Sequence, residues 1–401
     1  MNWLTWLLMI LAGAGFLALL LQRAALSLAL SRRLRAPARR PGISILKPLC
    51  GVDDALEDNL LSFAALEYPR YEVLLGVKDT ADAAYPVACR VAARSKRFRV
   101  VLQQGEPGLN PKVNQLVTLA RQARHDVLLV SDSNARLGPG ALSELAAAFE
   151  DPQVVCASNP VSGAGHESFG ALLDNLHLAS GIGAGQLAAK QVAGKDLVVG
   201  KSMALKRDAL EALGGFAAYV DVLAEDYVIG QDVTRKLGKR VAILRSPVLN
   251  VAVHRTVSSF FQRYVRWSVI HRTAITLPTY LSQALLNPWP LLVLAALGEP
   301  SAVTAGLAGI GLALKAAVDL SAARALRCGP LGLRAVAAVA LKDLLLFIAW
   351  CNGLVSRSVR WRGNKLRVTY GSRLVRPTAG VPVLTPRVDQ PEPQPVAGVA
   401  S

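Results

Sequence analysis

Two aspartates stand where apolar runs stop. Lys78-Asp79-Thr80 follows residues 71–77, and Ser131-Asp132-Ser133-Asn134 follows residues 127–130. A carboxylate at a strand end, beside small polar residues, can hold a divalent cation or accept hydrogen bonds from a ribose and base. A single aspartate there is more often a turn or helix cap, but two in the same geometric role weaken that reading. Further on, Ala224-Glu225-Asp226-Tyr227 places adjacent carboxylates after the Gly214-Gly215-Phe216 turn. An acid at this place can take a proton from an attacking hydroxyl, or simply form the acidic first turn of a helix running toward Leu237. In Gln262-Arg263-Tyr264-Val265-Arg266-Trp267, positions 262 and 266 share a helix face, where a guanidinium can grip a pyrophosphate and the indole offers an apolar wall. The same six residues also suit an interfacial amphipathic helix with basic and aromatic anchors. No GxGxxG or Walker-type loop is present, so a dinucleotide dehydrogenase or P-loop fold has no support.

The elements that must carry these residues are legible. Short apolar strands are predicted at 43–46, 71–77, 98–103 and 126–130, alternating with helical patterns at 55–66, 83–94 and 112–124. That alternation predicts an α/β domain over 38–273, with a mostly parallel sheet and helices on both faces. Ligands in such sheets bind at the carboxyl ends of the strands, where the aspartates lie.

The remaining chain is apolar. Of 401 residues 52% are hydrophobic and 18% charged, with a formal net charge of +17 and a mean hydropathy of +0.34. This excludes a disordered chain and predicts one soluble domain plus membrane segments. Residues 3–21 are long enough to cross a hydrocarbon core of roughly 30 Å. No basic residue precedes this run, while Arg23, Arg32, Arg33, Arg35, Arg39 and Arg40 follow it. It therefore reads as a retained span over 1–30, with its C-terminal side cytoplasmic. Residues 274–297 and 302–320 read as a hairpin around Gly298-Glu299-Pro300, both ends cytoplasmic. A third run, 331–354, carries Lys342 and Asp343 near its middle, which is costly unless they are paired. We expect it to span, completing membrane helices over 274–356 and sending the basic segment with Arg357, Arg360, Arg362, Lys365 and Arg367 to the far side; were it re-entrant, that segment would stay cytoplasmic. Residues 377–401 read as a disordered tail. The densest basic clusters flank apolar runs, so anionic lipid headgroups are the expected partner rather than nucleic acid. Five scattered cysteines without metal spacing fit reducing surroundings. The expected place is the inner (cytoplasmic) membrane, multi-pass, with the soluble domain cytoplasmic.

Taken in order, a strand-end Asp, an Asp-Ser-Asn sequence, Glu-Asp-Tyr, and Gln-Arg-Tyr-Val-Arg-Trp before membrane segments resemble the D, D, D, (Q/R)xxRW series of membrane-bound inverting glycosyltransferases with a GT-A fold. The likeness is greatest to the ceramide glucosyltransferase family, including its bacterial hopanoid-related branch. It is carried also by Ser44-Ile-Leu-Lys-Pro-Leu-Cys-Gly-Val-Asp53, Leu66-Glu-Tyr-Pro-Arg-Tyr-Glu-Val-Leu-Leu75, Asn110-Pro-Lys-Val-Asn114 and Gly200-Lys-Ser-Met203. By that resemblance Asp79 would recognise a uridine nucleotide, Asp132 would hold Mg²⁺ or Mn²⁺ bridging a diphosphate, and Asp226 would be the catalytic base. Gln262, Arg263, Arg266 and Trp267 would bind the diphosphate and close the site against the membrane, and Lys112 and Asn114 would contact the donor. Asn134 stands where the usual DxD has its second acid, which predicts modest metal affinity. His166 and His254 receive no role. The implied activity is inverting transfer of one sugar, glucose or N-acetylglucosamine, from a UDP-sugar to a hydroxyl of a membrane lipid, ceramide or hopanoid. A processive polysaccharide synthase shares the series but needs more membrane helices for a channel. A non-catalytic membrane scaffold or transporter subunit would leave the ordered acids unexplained.

Overall fold

The computed structural model describes residues 1–32, 35–195, 197–361 and 364–375. Arg33, Arg362 and the tail 377–401 lie outside the described residues. The first strands are β1 (Ile43–Pro48), β2 (Tyr71–Val77), β3 (Phe98–Leu102) and β4 (Val127–Ser131). They are followed by β5 (Ala135–Arg136), β6 (Val154–Ser158), β7 (Val161–Ala164), β8 (Ser202–Lys206), β9 (Arg240–Ile243) and β10 (Val248–Val251). Seven of them form a sheet in the order β3-β2-β1-β4-β8-β6-β9. Within it β8 alone runs against its neighbours. A small second sheet, β5-β10-β7, stands beside the carboxyl end of β4.

Period two explains the layers. Ile43, Ile45, Val73, Leu75 and Val77 point into one core with Phe63, whereas Leu46, Leu74, Leu128 and Val130 point into the other with Leu116 and Met203. Every residue of β2 and β4 is buried, which is why these strands read as unbroken apolar runs. Each large apolar side chain so placed contributes about 1.5–3 kcal/mol. The helix Pro111–Gln122 starts where Asn110 accepts the amides of Lys112 and Val113 and Pro111 takes the first position.

Among the described residues three helices are long and apolar enough to cross a membrane: Trp3–Ser31, Ala302–Ala325 and Arg334–Val355. Between 277 and 298 the chain forms two shorter helical stretches bent by 82°. The break lies at Asn287-Pro288, where proline disfavours the helical conformation of the residue before it. Residues 274–297 are thus a broken element rather than one straight helix. At its far end Glu299 meets the chain's amino terminus at 3.0 Å.

Arg334–Val355, one of these three, has partners at both ends. Just before it, His166 Nε2 lies 2.7 Å from the Pro330 carbonyl and the Gly329 amide donates to Gly163 at 3.2 Å. Near its other end Gly353 sits against the Ser268 carbonyl and Tyr280. Both ends are therefore tied to the α/β domain or to the helix that follows it, Val257–Ala274. Beyond it, β11 (Ser358–Trp361), β12 (Asn364–Thr369) and β13 (Arg373–Val375) form a third sheet. The Leu223 amide donates to Ser372 and the Leu374 amide to Asp221, so the segment expected on the far side docks on the α/β domain. Lys342 and Asp343 are buried among Lys315 and Asp319 of Ala302–Ala325, which supplies the pairing their position demands.

Candidate active site

A cavity of about 330 Å³ opens at the carboxyl end of β4. Pro48, Leu49, Asp53, Gln115, Ser133, Asn134 and Trp267 line it together with Asp132 and five basic side chains: Lys112, Lys201, Arg255, Arg263 and Arg266. Asp132 reaches it because β4 ends one residue earlier. Lys201 faces Asp132 because β8 runs antiparallel to β4 with Ser202 opposite Ser131. Lys112 arrives on the first turn of the Asn110-capped helix. Arg263, Arg266 and Trp267 come from Val257–Ala274, which Thr256 caps by accepting the Ser259 amide.

Asp132 accepts from Lys112 at 3.1 Å and from Lys201 at 2.9 Å. Burial favours its neutral form, yet the two lysines hold its carboxyl well below the usual carboxylate range. Lys112 also meets Glu225 at 2.8 Å. Burial works against its charge, but Asp132, Glu225 and Asp226 together raise its pKa. Lys201, whose main effect is burial and whose one carboxylate partner is Asp132, moves downward. Beneath them Lys47 is buried, donates to the Asp132 carbonyl at 2.8 Å and lies 3.8 Å over the Phe63 ring. Burial lowers its pKa to about 7 against the pull of Asp132.

Glu225 and Asp226 are distinguished by their partners. Glu225 is held by Lys112, whereas Asp226 accepts backbone amides, from Gly200 and, at 2.8 Å, from Tyr227. Burial, with the Glu225 charge second, pushes Asp226 up to about 6. Gly200 permits this arrangement. A Cβ there would stand 2.8 Å from Asp226 Oδ2 and 3.0 Å from Lys112 Nζ.

Arg263 is anchored by a residue that sequence reading passes over. Asp174, fully buried on Phe169–His177, accepts from Arg263 Nη1 at 2.9 Å and from the Tyr264 hydroxyl at 2.9 Å. Arg255 Nε lies 3.2 Å from the same carboxylate. One anion between two guanidiniums leaves a positive excess facing the cavity, and the Arg263 guanidinium lies 4.7 Å from the centre of the Trp267 ring.

Of the residues singled out by sequence, the structure brings Asp132, Lys112, Arg263, Arg266 and Trp267 into the cavity wall, with Asp226 at its flank. Three lie outside it. Asp79 is exposed and accepts the Ala81 amide at 2.9 Å, an Asx turn. Gln262 is exposed and donates to Ser258 at 3.3 Å; at i and i+4 it does not share the cavity with Arg266. Asn114 is buried, and its amide closes on the Gly108 peptide, accepting at 3.1 Å and donating at 2.9 Å. The structure therefore assigns it to holding its own loop, while the neighbouring Gln115 lines the cavity. Sequence reading missed Lys201, Arg255, Asp174, Lys47 and Gln115. Lys201 and Lys47 sit inside motifs already noted, but their facing Asp132 depends on strand register.

Among the described residues no three His, Cys, Asp or Glu side chains converge as a metal cage. The donor set at the cavity is Asp132 with Asp53, Ser133 and Asn134. A cation of the Mg²⁺ kind takes one or two carboxylates and completes its shell with substrate phosphates, and here it would have to displace the Lys201 ammonium from Asp132 and Asn134.

A model described as "Glycosyl transferase family 21" matches residues 5–374. Ceramide glucosyltransferase 3 of Caenorhabditis elegans is 26% identical over 361 residues, 87% of this chain and 77% of that protein. Ceramide glucosyltransferase 1 of the same organism is 30% identical over 234 residues, 57% of this chain and 49% of its own length. Among solved structures, a mannosyltransferase from Pyrobaculum calidifontis in complex with GDP-Man and Mn²⁺ superposes with a TM-score of 0.53 at 20% identity, covering 85% of this chain and 99% of that one; the likeness is one of fold, the GT-A type. With a family match spanning nearly the whole chain and a cation-rich cavity at the strand ends, the protein belongs to glycosyl transferase family 21 and is a glycosyltransferase carrying membrane helices.

Proposed function

We propose that this enzyme transfers one sugar, glucose or N-acetylglucosamine, with inversion from a UDP-sugar to the hydroxyl of a membrane lipid, ceramide or hopanoid, at the cytoplasmic face. The observation that carries the reading is the convergence on one cavity of five basic side chains and the ionised Asp132, with the half-buried Asp226 beside it. A cationic excess of this kind suits a nucleoside diphosphate both as ligand and as leaving group.

Arg263 and Arg266 grip the diphosphate, and Trp267 walls the site on the side of the membrane helices. A divalent cation on Asp132 would neutralise charge developing on the departing diphosphate. Asp79, beyond the carboxyl end of β2 and outside the cavity wall, would meet the nucleoside part of the donor. Asp226 takes the proton of the acceptor hydroxyl as its oxygen bonds to the anomeric carbon; the bond from that carbon to the diphosphate oxygen breaks, and its electron pair leaves with UDP. A carboxylate raised to about 6 is matched to this task near neutral pH. The similarity to ceramide glucosyltransferases supports a lipid acceptor, and the apolar helices beside Trp267 offer a sideways route from the bilayer.

The test is incubation of detergent-solubilised protein with Mg²⁺ or Mn²⁺, UDP-glucose, UDP-N-acetylglucosamine, ceramide and a hopanoid, followed by mass spectrometry of the lipids. One hexose or N-acetylhexosamine added to one lipid is expected. A polymer product, or UDP release with no sugar on lipid, would overturn the acceptor assignment.

A further inference from the structure

The adjacent carboxylates Glu225 and Asp226 are held from two sides. Glu225 and Asp226 open the helix Glu225–Arg235, whose N-cap residue, Ala224, has no side chain able to cap it. The preceding segment, 220–223, is fixed on one flank by the donor-side loop. Asn110 donates from its backbone to Val220 at 2.7 Å and from its side chain to Val222 at 2.6 Å, and the Leu109 amide donates to the Asp221 carboxylate at 2.8 Å.

The other flank is closed by residues far along the chain. Ser372, fully buried in the turn between β12 and β13, accepts the Leu223 amide on its carbonyl at 2.8 Å and the Ala224 amide on its hydroxyl at 3.0 Å. Leu374 donates to the Asp221 carbonyl at 2.8 Å, and Val222 pairs with Arg373. Leu223, Val269, Val368 and Leu374 pack as a small apolar cluster beneath. Ser372 has φ 59°, a left-handed conformation that a residue with a Cβ rarely adopts. Its persistence shows that the surroundings dictate it.

We propose that Ser372 is a positioning residue: the chain leaving the membrane helices folds back as a clasp that holds the segment entering the Glu225–Arg235 helix and sets the Asp226 carboxylate against the donor site. The hydroxyl takes the backbone amide of Ala224, the residue just ahead of the helix, and the two clamped flanks leave the acid pair one orientation. This rests on the assignment of Asp226 as the base.

The test compares full-length wild type, Ser372→Ala, Ser372→Gly and Asp226→Asn, with turnover expressed per UDP-binding site. Ser372→Gly removes the hydroxyl while relieving the left-handed φ, so its folding is not impaired by strain. Both Ser372 variants are expected to lose about tenfold in kcat with donor KM changed by less than about twofold, the equivalent of one lost hydrogen bond felt at the base. The acid limb of their kcat profile should move, and hydrogen exchange at Leu223 and Ala224 should quicken. Loss of turnover only in proportion to lost UDP-binding sites, or quickened exchange with kcat and its pH limb unchanged, would overturn the proposal. Wild-type turnover in Asp226→Asn would instead remove the base assignment, and with it the reading on which the clasp depends.

Discussion

Two clusters of buried charge sit in this molecule, and they are built on opposite principles. Between Ala302–Ala325 and Arg334–Val355, Lys315 and Lys342 face Asp319 and Asp343: Lys342 meets Asp319 at 3.0 Å and Asp343 directly, and Lys315 meets Asp343 at 3.2 Å. Two cations meet two anions, all four side chains are 4% exposed or less, and the charge closes on itself. At the end of β4, five basic side chains line the cavity with Asp53 and Asp132, Glu225 and Asp174 pair with them from behind, and Asp132 keeps a quarter of its side-chain surface open. Balanced charge in a dry place holds helices together. Unbalanced charge in an open place waits for an anion, and here it surrounds the positions that the sequence series marks.

The largest effect should come from the carboxylate that the cavity leaves to backbone partners. Asp226→Asn keeps volume and removes basicity, so kcat should fall by about 10³-fold, within the range of a lost general base, while UDP affinity is kept because the cations are untouched. A steady-state assay beside calorimetric UDP titration checks both. In the wild type, kcat should drop about tenfold for each pH unit below about 6, as Asp226 takes up a proton. The sign on stability is opposite to that of a salt-bridged acid. With the folded value raised from 3.8 to about 6, the native state binds the proton more tightly, so stability declines as pH rises through that window.

Breaking the closed cluster should act on stability instead. Asp319→Asn leaves two buried lysines with one carboxylate, and a loss of about 3 kcal/mol is expected from an uncompensated buried charge. Thermal unfolding in detergent should show it, with UDP affinity of the folded fraction unchanged. A fall in UDP affinity without a change in unfolding would mean that the two clusters are coupled and the contrast between them is false.

Much of this was legible in the residues. The period-two runs of β1 and β2 and the buried run of β4 mark the sheet, and the apolar stretch 3–21 marks the first long helix. The aspartate after β4 and the Arg-Trp pair follow from chain position alone. What escaped depends on pairings that no local pattern records. Lys201 meets Asp132 only because β8 is antiparallel, a reversal inside an otherwise parallel sheet. Asp174 looks like any helical acid until Arg255 and Arg263 fold over it. Asn114 and Gln115 are adjacent amides, and one residue of helical rotation, about 100°, decides which faces the cavity.

Lys201 offers a smaller test of the receptive cluster. It donates to Asp132 at 2.9 Å and to Asn134 at 2.8 Å. Removing it in Lys201→Ala should weaken UDP binding by about 2 kcal/mol, the scale of a charge-assisted hydrogen bond. The dependence of that affinity on salt should also flatten, since one cation fewer attracts the diphosphate. Calorimetry across ionic strengths reads both. Unchanged affinity would place the diphosphate away from the Asp132 end of the cavity.

The smallest effect is expected from the most drastic substitution. Replacing all four closed charges together, Lys315→Met, Asp319→Leu, Lys342→Met and Asp343→Leu, exchanges a neutral set of similar volume for apolar side chains. Each ion there is already desolvated, and the attraction within the set repays that cost without a large surplus, so stability should stay within about 1 kcal/mol of wild type. Turnover should stay with it, because none of the four lines the cavity. The same treatment of Lys112, Asp132 and Lys201 should not be silent, since the proposed partner of that cluster is the substrate. Loss of transfer in the four-charge variant, with unfolding temperature unchanged, would show that the membrane cluster serves the reaction and that closure of charge is no guide to its role.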